Sequence, residues 1–405
     1  MPGHPSNPDI HLLDGHFYAG DPHPHFTWMR SSAPFYWDEA AQVWGVALHE
    51  DVMRIARDPE TFCNRHSSRP DAPPIPSMIN LDDPEHKRRR NLVNKGFTLR
   101  RVQEHEPKIR EICVDLIERA KARETFDFVR DVAAPLPMVM IGDLLGVAPE
   151  DRDMLLHWSD DLIAGTSMTA PLEVMMKAQR SFEEYCDYNR RVVAERRANR
   201  GSDDLMSVLV HAEIDGEKLN DDELLQESLL ILVGGDETTR HVVTSGMHQL
   251  LAHPDQMQKL VEDPRRIPVA VEEMLRWATP IQNMARTATR DVELRGEKIR
   301  EGEKLLLLYP SCNRDERVFA DPFRFDVERQ PNDHVAFGYG AHFCLGASLA
   351  RLELRVMFEE IVRRIPDLEL TTSDPLPLRP SNFIVGIERM PVRVPRLGSH
   401  VPGPN

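Results

Sequence analysis

The chain has 405 residues, 41% apolar and 29% charged, a balance that excludes an intrinsically disordered protein and gives enough length for one large domain. Fifty basic against sixty-six acidic residues leave a net charge of −16, which argues against a nucleic-acid binder and against a polybasic membrane-surface protein. Five scattered cysteines form no disulfide framework and point to a reducing cytoplasm; no leader pattern is visible, and the longest apolar run, around Leu229–Val233, is far short of the roughly 20 residues of a membrane span.

Residues 1–10 and 396–405 are rich in Pro and Gly and read as flexible ends. Residues 34–48 (PFYWDEAAQVWGVAL) place two β-prone pieces around a polar break and predict a hairpin. Residues 64–84 contain five prolines and no helical period, which predicts a long loop. From Glu85 to about Ile365 the pattern is mostly helical, over 85–95, 99–122, 135–145, 149–165, 172–199, 203–212, 221–252, 254–263, 267–278 and finally 346–364. Residues 284–309 alternate polar and apolar and predict strands, and 366–395 hold strand-like pieces broken by prolines. With no repeat and no linker, residues 1–405 read as a single, mainly α domain with a small β part.

One cysteine stands apart. Cys344 lies in VAFGYGAHFCLGASLARLELR, with Gly338, Gly340 and Gly346 around it and a strong helical pattern after it. Glycines permit a tight loop and close approach of a flat ligand. A helix starting near Leu345 would aim its N–H groups and positive dipole end at the sulfur and favour a thiolate. Such a thiolate is a metal ligand or a nucleophile; the second needs a base, for which only nearby His342 offers itself. Cys63, Cys113, Cys186 and Cys312 read as buried, inert thiols.

The segment 220–253 predicts one long helix of some 50 Å at about 1.5 Å per residue. Asn220 and Glu223 form a capping box, and Pro254 ends it. Its centre breaks local rules: Gly234, Gly235, Asp236, Glu237, Thr238 and Thr239 follow an all-apolar stretch. Two mid-helix glycines cost roughly 1 kcal/mol each, and buried polar groups need partners. Small residues let a ligand lie against the helix, and a Thr hydroxyl can bond back to a carbonyl one turn earlier.

Phe337, Gly340, Cys344 and Gly346 spell F-x-x-G-x-x-x-C-x-G, and Gly234–Thr238 spell [A/G]-G-x-[D/E]-T. On these motifs the chain resembles the cytochrome P450 family, soluble bacterial type. The resemblance implies a P450 fold with haem b held between the central helix and the helix after Cys344. It implies that Cys344 is the thiolate ligand of the haem iron, with Phe337, Gly338, Gly346 and Gly235 beside the cofactor. Thr238 would hydrogen-bond dioxygen or its water, and Glu237 would feed protons inward, with Asp236 and Thr239 as lesser candidates. Glu273 and Arg276 match the family's E-x-x-R pair, completed by Arg329, or by Arg324 as runner-up, into a structural triad. His86, Arg90, Arg286 and His342 match the partners of the haem propionates.

The same resemblance implies a monooxygenase that inserts one atom of O2 into a C–H bond. The sequence has no flavin or iron–sulfur motif, so electrons must come from separate proteins, and the resemblance implies a ferredoxin and its NAD(P)H-dependent reductase. The basic residues Lys87, Arg88, Arg89, Arg90, Lys95, Arg100, Arg101, Arg351 and Arg355 offer a docking face or a solvated one. Family topology implies a pocket lined by Ile75, Met78, Ile79, Met168, Leu230, Val233, Ile281, Met284, Phe383 and Ile384, an apolar set that favours a lipophilic substrate. The stretches GGDETTRH, AAPLPMVMIGDLLGV and EEMLRW resemble actinobacterial steroid side-chain hydroxylases. The alternatives are a macrolide, polyketide or fatty-acid hydroxylase, or a peroxide-driven peroxygenase on the same fold.

Overall fold

The structure, a computed structural model, describes residues 5–165, 171–199, 201 and 204–395. Met168 lies outside them. Its axis is the helix Asp221–Ala252. Asn220 accepts the Glu223 N–H at 2.9 Å and Glu223 accepts the Asn220 N–H at 3.0 Å, so the capping box forms as the spacing predicts. Leu224, Leu232, Val243 and Met247 are buried along it, each burial contributing about 1.5–3 kcal/mol. A Cβ at Gly246 would stand 2.9 Å from Met274 and from Phe358, so the glycine lets helices Ile267–Ala278 and Ala347–Arg364 close on the axis.

The predicted 99–122 helix is two, Leu99–Glu104 and Glu106–Lys121, meeting at His105. Pro107 explains the break: it has no N–H to donate, and its ring crowds the carbonyl four residues back. Three helices near the N-terminus went unpredicted, Gly15–Ala19, His23–Ser32 and His49–Ala56. Nor are residues 5–10 a loose end. Ile10 is buried, and the Tyr36 hydroxyl donates to the Asn7 carbonyl at 3.0 Å.

The five-stranded sheet gathers chain from both ends of the sequence. Its order is Phe35–Asp38, Val43–Val46, Lys304–Leu308, Asn283–Ala288, Phe62–Cys63. The first two form the predicted hairpin, with Phe35 opposite Val46. Val43–Val46 then pairs in parallel with Lys304–Leu308, which requires a long crossover between them. That crossover contains most of the helical body. The loop 64–84 is fastened to this sheet by the Ala285 N–H, which donates to the Ser68 carbonyl at 2.7 Å. A two-stranded hairpin, Val292–Leu294 with Glu297–Ile299, and a three-stranded cluster, Thr125–Asp127, Pro391–Arg393 and Glu369–Leu370, complete the β part.

Candidate active site

The loop before Cys344 is built on two glycines with positive φ, Gly338 at 67° and Gly340 at 77°. A Cβ on Gly340 would fall 2.1 Å from the Ala56 carbonyl oxygen, so only glycine fits there. The loop folds back on itself: the Cys344 N–H donates to the Phe337 carbonyl at 2.9 Å. Helix Ala347–Arg364 starts later than the sequence suggests, with Gly346 as its cap. Burial pushes the Cys344 thiol up rather than down, while the N–H groups of Gly346 and Ala347 and the charges of Arg90 and Arg351 oppose that rise. Cys344 is exposed at the surface of the protein atoms, whereas the other four cysteines are buried.

His86 comes from helix Glu85–Asn94 and His342 from the loop, and their ring centres are 4.1 Å apart. His86 Nδ1 is 3.2 Å from Asp83, but its buried Nε2 has no partner. The Arg90 guanidinium donates to the Phe343 carbonyl at 2.5 Å. Arg286 is buried and donates to the Ala285 carbonyl at 2.8 Å; among the described residues no carboxylate pairs with it. Burial, with the neighbouring Arg286, His86 and Arg90, pushes the His342 imidazole down to about 2. Burial also lowers His86, Arg90 and Arg286. Buried cationic groups without counter-charge are unfavourable alone. A ligand with two carboxylates satisfies them, and a thiolate on the adjoining loop suits iron. The donor set thus fits haem.

On the central helix the Thr238 hydroxyl donates to the Gly234 carbonyl at 3.1 Å. The two glycines have different surroundings, and Gly235, expected beside the cofactor, is the one packed against protein. Gly235 is packed, since a Cβ there would meet Ile141 at 2.4 Å, while among the described residues nothing lies within 4 Å of a Cβ on Gly234. Gly234 is thus the open position, and Gly235 serves contact with helix Pro135–Leu144.

Glu237 is buried and held from three sides. Arg240 donates to it, Arg379 donates at 2.5 Å, and His241 Nε2 is 3.4 Å away, close enough for attraction but not aligned as a hydrogen bond. Burial alone would raise this carboxyl, but these partners overcome it and hold it low. Asp236 is buried, neither oxygen has a well-formed hydrogen bond among the described residues, and burial pushes it up to about 7 against a small opposing pull from the Ser159 hydroxyl. Glu353, on the helix after Cys344 and facing Thr239, is pushed up to about 8. Asp160, half-exposed on helix Arg152–Ala164, lies 3.8 Å from Arg240; its carboxylate and those of Asp236 and Glu237 have oxygens within 4.8 Å of one another. The sequence offered Arg240 three residues after Glu237, but nothing local pointed to Asp160 or Arg379.

Glu273 and Arg276 of the charge lock are fully buried, and Arg329 is mostly so. Arg276 donates to Glu273 at 2.7 and 2.8 Å, and Arg329 Nε reaches the same carboxylate at 3.1 and 3.2 Å. Arg324 contributes its carbonyl, accepting from Arg329 at 2.7 Å, and turns its side chain outward toward Asp326. Arg276 also donates to the Asn313 carbonyl, and Asn313 Oδ1 accepts the Val335 N–H at 2.8 Å. This chain of bonds ties the lock to the start of the Cys344 loop.

Of the proposed pocket residues, Ile79, Leu230, Val233, Ile281, Met284 and Phe383 are half-buried. Ile75 is 45% exposed, on the surface of its Pro-rich loop, and Met78 and Ile384 are packed into the protein. Ile281 and Ile384 bridge each other. The Arg69 guanidinium stacks 3.8 Å over the Phe383 ring, a cation that sequence reading missed. The basic cluster is largely self-neutralised: Arg88, Arg89, Arg100, Arg351 and Arg355 each pair with an acid of the chain, as an excess of acids favours.

A family model described as Cytochrome P450 matches residues 18–389. The chain is 50% identical over 387 residues to the steroid C26-monooxygenase of Mycobacterium tuberculosis, covering 95% of this chain and 97% of that one. It is 48% identical over 388 residues to the protein of that name from Mycolicibacterium smegmatis, covering 96% of each. The crystal structure of CYP109E1 from Bacillus megaterium in complex with testosterone superimposes with a TM-score of 0.84 at 33% identity, over 92% of this chain and 99% of that one.

Proposed function

The chain belongs to the cytochrome P450 family, and we propose that it hydroxylates the hydrocarbon side chain of a steroid or related terpenoid lipid. It is a haem-thiolate monooxygenase whose cofactor is haem b. The observation that carries the substrate reading is the 50% identity, over nearly the whole chain, to a steroid C26-monooxygenase. The half-buried apolar residues between Leu230 and Phe383 agree with it.

Haem supplies the activation of O2, so that one oxygen atom enters the substrate and the other leaves as water at the cost of two electrons and two protons. Cys344 would hold the iron. His86, Arg90, Arg286 and His342 would hold the propionates; the buried His86 Nε2, with no partner among the described residues, and the buried Arg286, with no carboxylate among them, support this. Gly234 leaves space beside the Thr238 hydroxyl, which is placed to donate or accept a proton at bound ligand. Glu237, clamped as a carboxylate, would first take up a proton and then pass it inward, and only when Arg240 or Arg379 shifts. Asp160 gives that network its contact with water.

Electrons are proposed to arrive from a ferredoxin and its NAD(P)H-dependent reductase. With so many surface arginines already paired, docking there relies on Lys87 and shape more than on the whole basic cluster. We place the enzyme in the cytoplasm, which its five free cysteines support. Among the described residues no helix is long and apolar enough to cross a membrane.

The test is a spectral titration of the purified holoenzyme with a sterol ketone and with a long-chain fatty acid, followed by product analysis with ferredoxin, reductase and NAD(P)H. A low-micromolar spin shift and a side-chain alcohol from the sterol support the reading. Tighter binding and oxidation of the fatty acid alone would overturn it.

A further inference from the structure

Beside the Cys344 loop lies a charged cluster that the proposed chemistry does not use. Glu273 takes Arg276 and Arg329; its neighbour Glu272 takes a different pair. Arg351 Nε and Nη2 donate to the two Glu272 oxygens at 2.8 and 2.9 Å, a bidentate arrangement. His334 Nε2 is 3.1 Å from Glu272 Oε2. Because His334 Nδ1 accepts the Ala336 N–H at 3.2 Å, its proton sits on Nε2, toward the carboxylate. Burial would raise Glu272, but His334 and Arg351 outweigh it and hold the carboxyl at about 2, so it stays charged.

The cluster reaches the sulfur along two short routes. The Arg351 guanidinium lies 4.7 Å from the centre of the Phe337 ring, and the Phe337 carbonyl accepts the Cys344 N–H at 2.9 Å. Arg351 also follows Ala347 by one turn, on the helix that starts behind the sulfur. Its positive charge acts to lower the Cys344 thiol.

We propose that Arg351, stacked on Phe337 and gripped by Glu272, is a positioning residue that sets the electrostatic potential at the Cys344 sulfur, with Glu272 as the counter-charge that limits it. The proposal rests on Cys344 being the haem ligand. Reduction of the ferric centre adds one negative charge. A nearby cation favours the reduced state, and a nearby anion opposes it. Arg351 is partly exposed, so solvent and salt weaken its field.

The test is an equilibrium redox titration of the holoenzyme alone, without redox partner, for the parent, Arg351→Met, Arg351→Lys and Glu272→Gln. Arg351→Met is expected to disfavour reduction about tenfold, a fall of about 59 mV for one electron. Glu272→Gln is expected to move the equilibrium the opposite way, and Arg351→Lys to stay near the parent. A role in packing alone loosens Phe337 in either variant, so shifts of the same sign, or none, overturn the proposal. If Arg351→Met fails to retain haem, Glu272→Gln decides: eased reduction supports, and unchanged or harder reduction overturns. A parent protein lacking the thiolate signature in its ferrous–CO spectrum overturns the ligand reading and this proposal with it; same-sign shifts with that signature intact overturn the proposal alone.

Discussion

The imidazoles of His86 and His342 stand 4.1 Å apart and 35° from parallel, one on a helix and the other two residues before Cys344, with Arg286 and Arg90 close enough to depress His342. Burial and these neighbours favour the neutral imidazoles, which can still donate an N–H to an anionic ligand. Arg286→Leu and His342→Gln should each remove a charge-assisted contact of about 1.5–3 kcal/mol. Haem transfer from the holoenzyme to an acceptor globin should accelerate about tenfold or more in each. Transfer at the parental rate in both would separate these residues from the cofactor.

Thr238 sits where the open face of Gly234 meets the carbonyl it bonds. Thr238→Ala should leave substrate binding intact and lower product formed per NAD(P)H severalfold, with peroxide released instead; Thr238→Ser should recover most of the yield. Unchanged coupling in the alanine variant would remove the role.

Asp236 gives a prediction about pH. Its buried carboxyl has no well-formed hydrogen bond among the described residues, and burial lifts it from 3.8 to about 7. Between these values the folded protein holds a proton that the unfolded chain has lost, so the group's contribution to stability falls as pH rises, by about 1.4 kcal/mol per unit. Asp236→Asn removes that dependence. Its thermal midpoint relative to the parent should therefore climb between pH 4 and 7 and level off above. A constant difference across that range would show Asp236 ionised or screened.

The paired glycines separate packing from ligand space. Gly235→Ala drives a methyl toward Ile141 and should lower the thermal midpoint. Gly234→Ala meets no protein atom among the described residues, so it should melt as the parent does, yet weaken the substrate-induced spin shift by narrowing the groove. Reversed outcomes in melting and titration would exchange the two assignments.

Local signals carried the parts of the fold that local chemistry decides. The central helix runs from its capping box to the residue before Pro254's neighbour His253, and the Cys344 loop needs its glycines where the sequence has them. Helix Ile267–Ala278 likewise spans the predicted 267–278. What stayed hidden depends on distant chain. Helix His49–Ala56 buries Val52 and Ile55 against the sheet and meets the Cys344 loop at Ala56, both contacts with distant chain. Glu237 is clamped by Arg379 from the C-terminal tail, and Glu272 by Arg351, neither of which a motif reveals. Which of Gly234 and Gly235 faces open space depends on Ile141 alone, and the pattern G-G cannot say. The docking arginines looked free because pairing partners such as Glu223 and Glu106 come from other helices.

The most direct measurement of the central claim is the ferrous–CO spectrum of the purified holoenzyme beside its Cys344→Ser variant. The parent should show the long-wavelength Soret band of a thiolate-ligated adduct, and the serine variant should lack it. A haem-loaded parent without that band, or a serine variant that keeps it, would contradict ligation through Cys344.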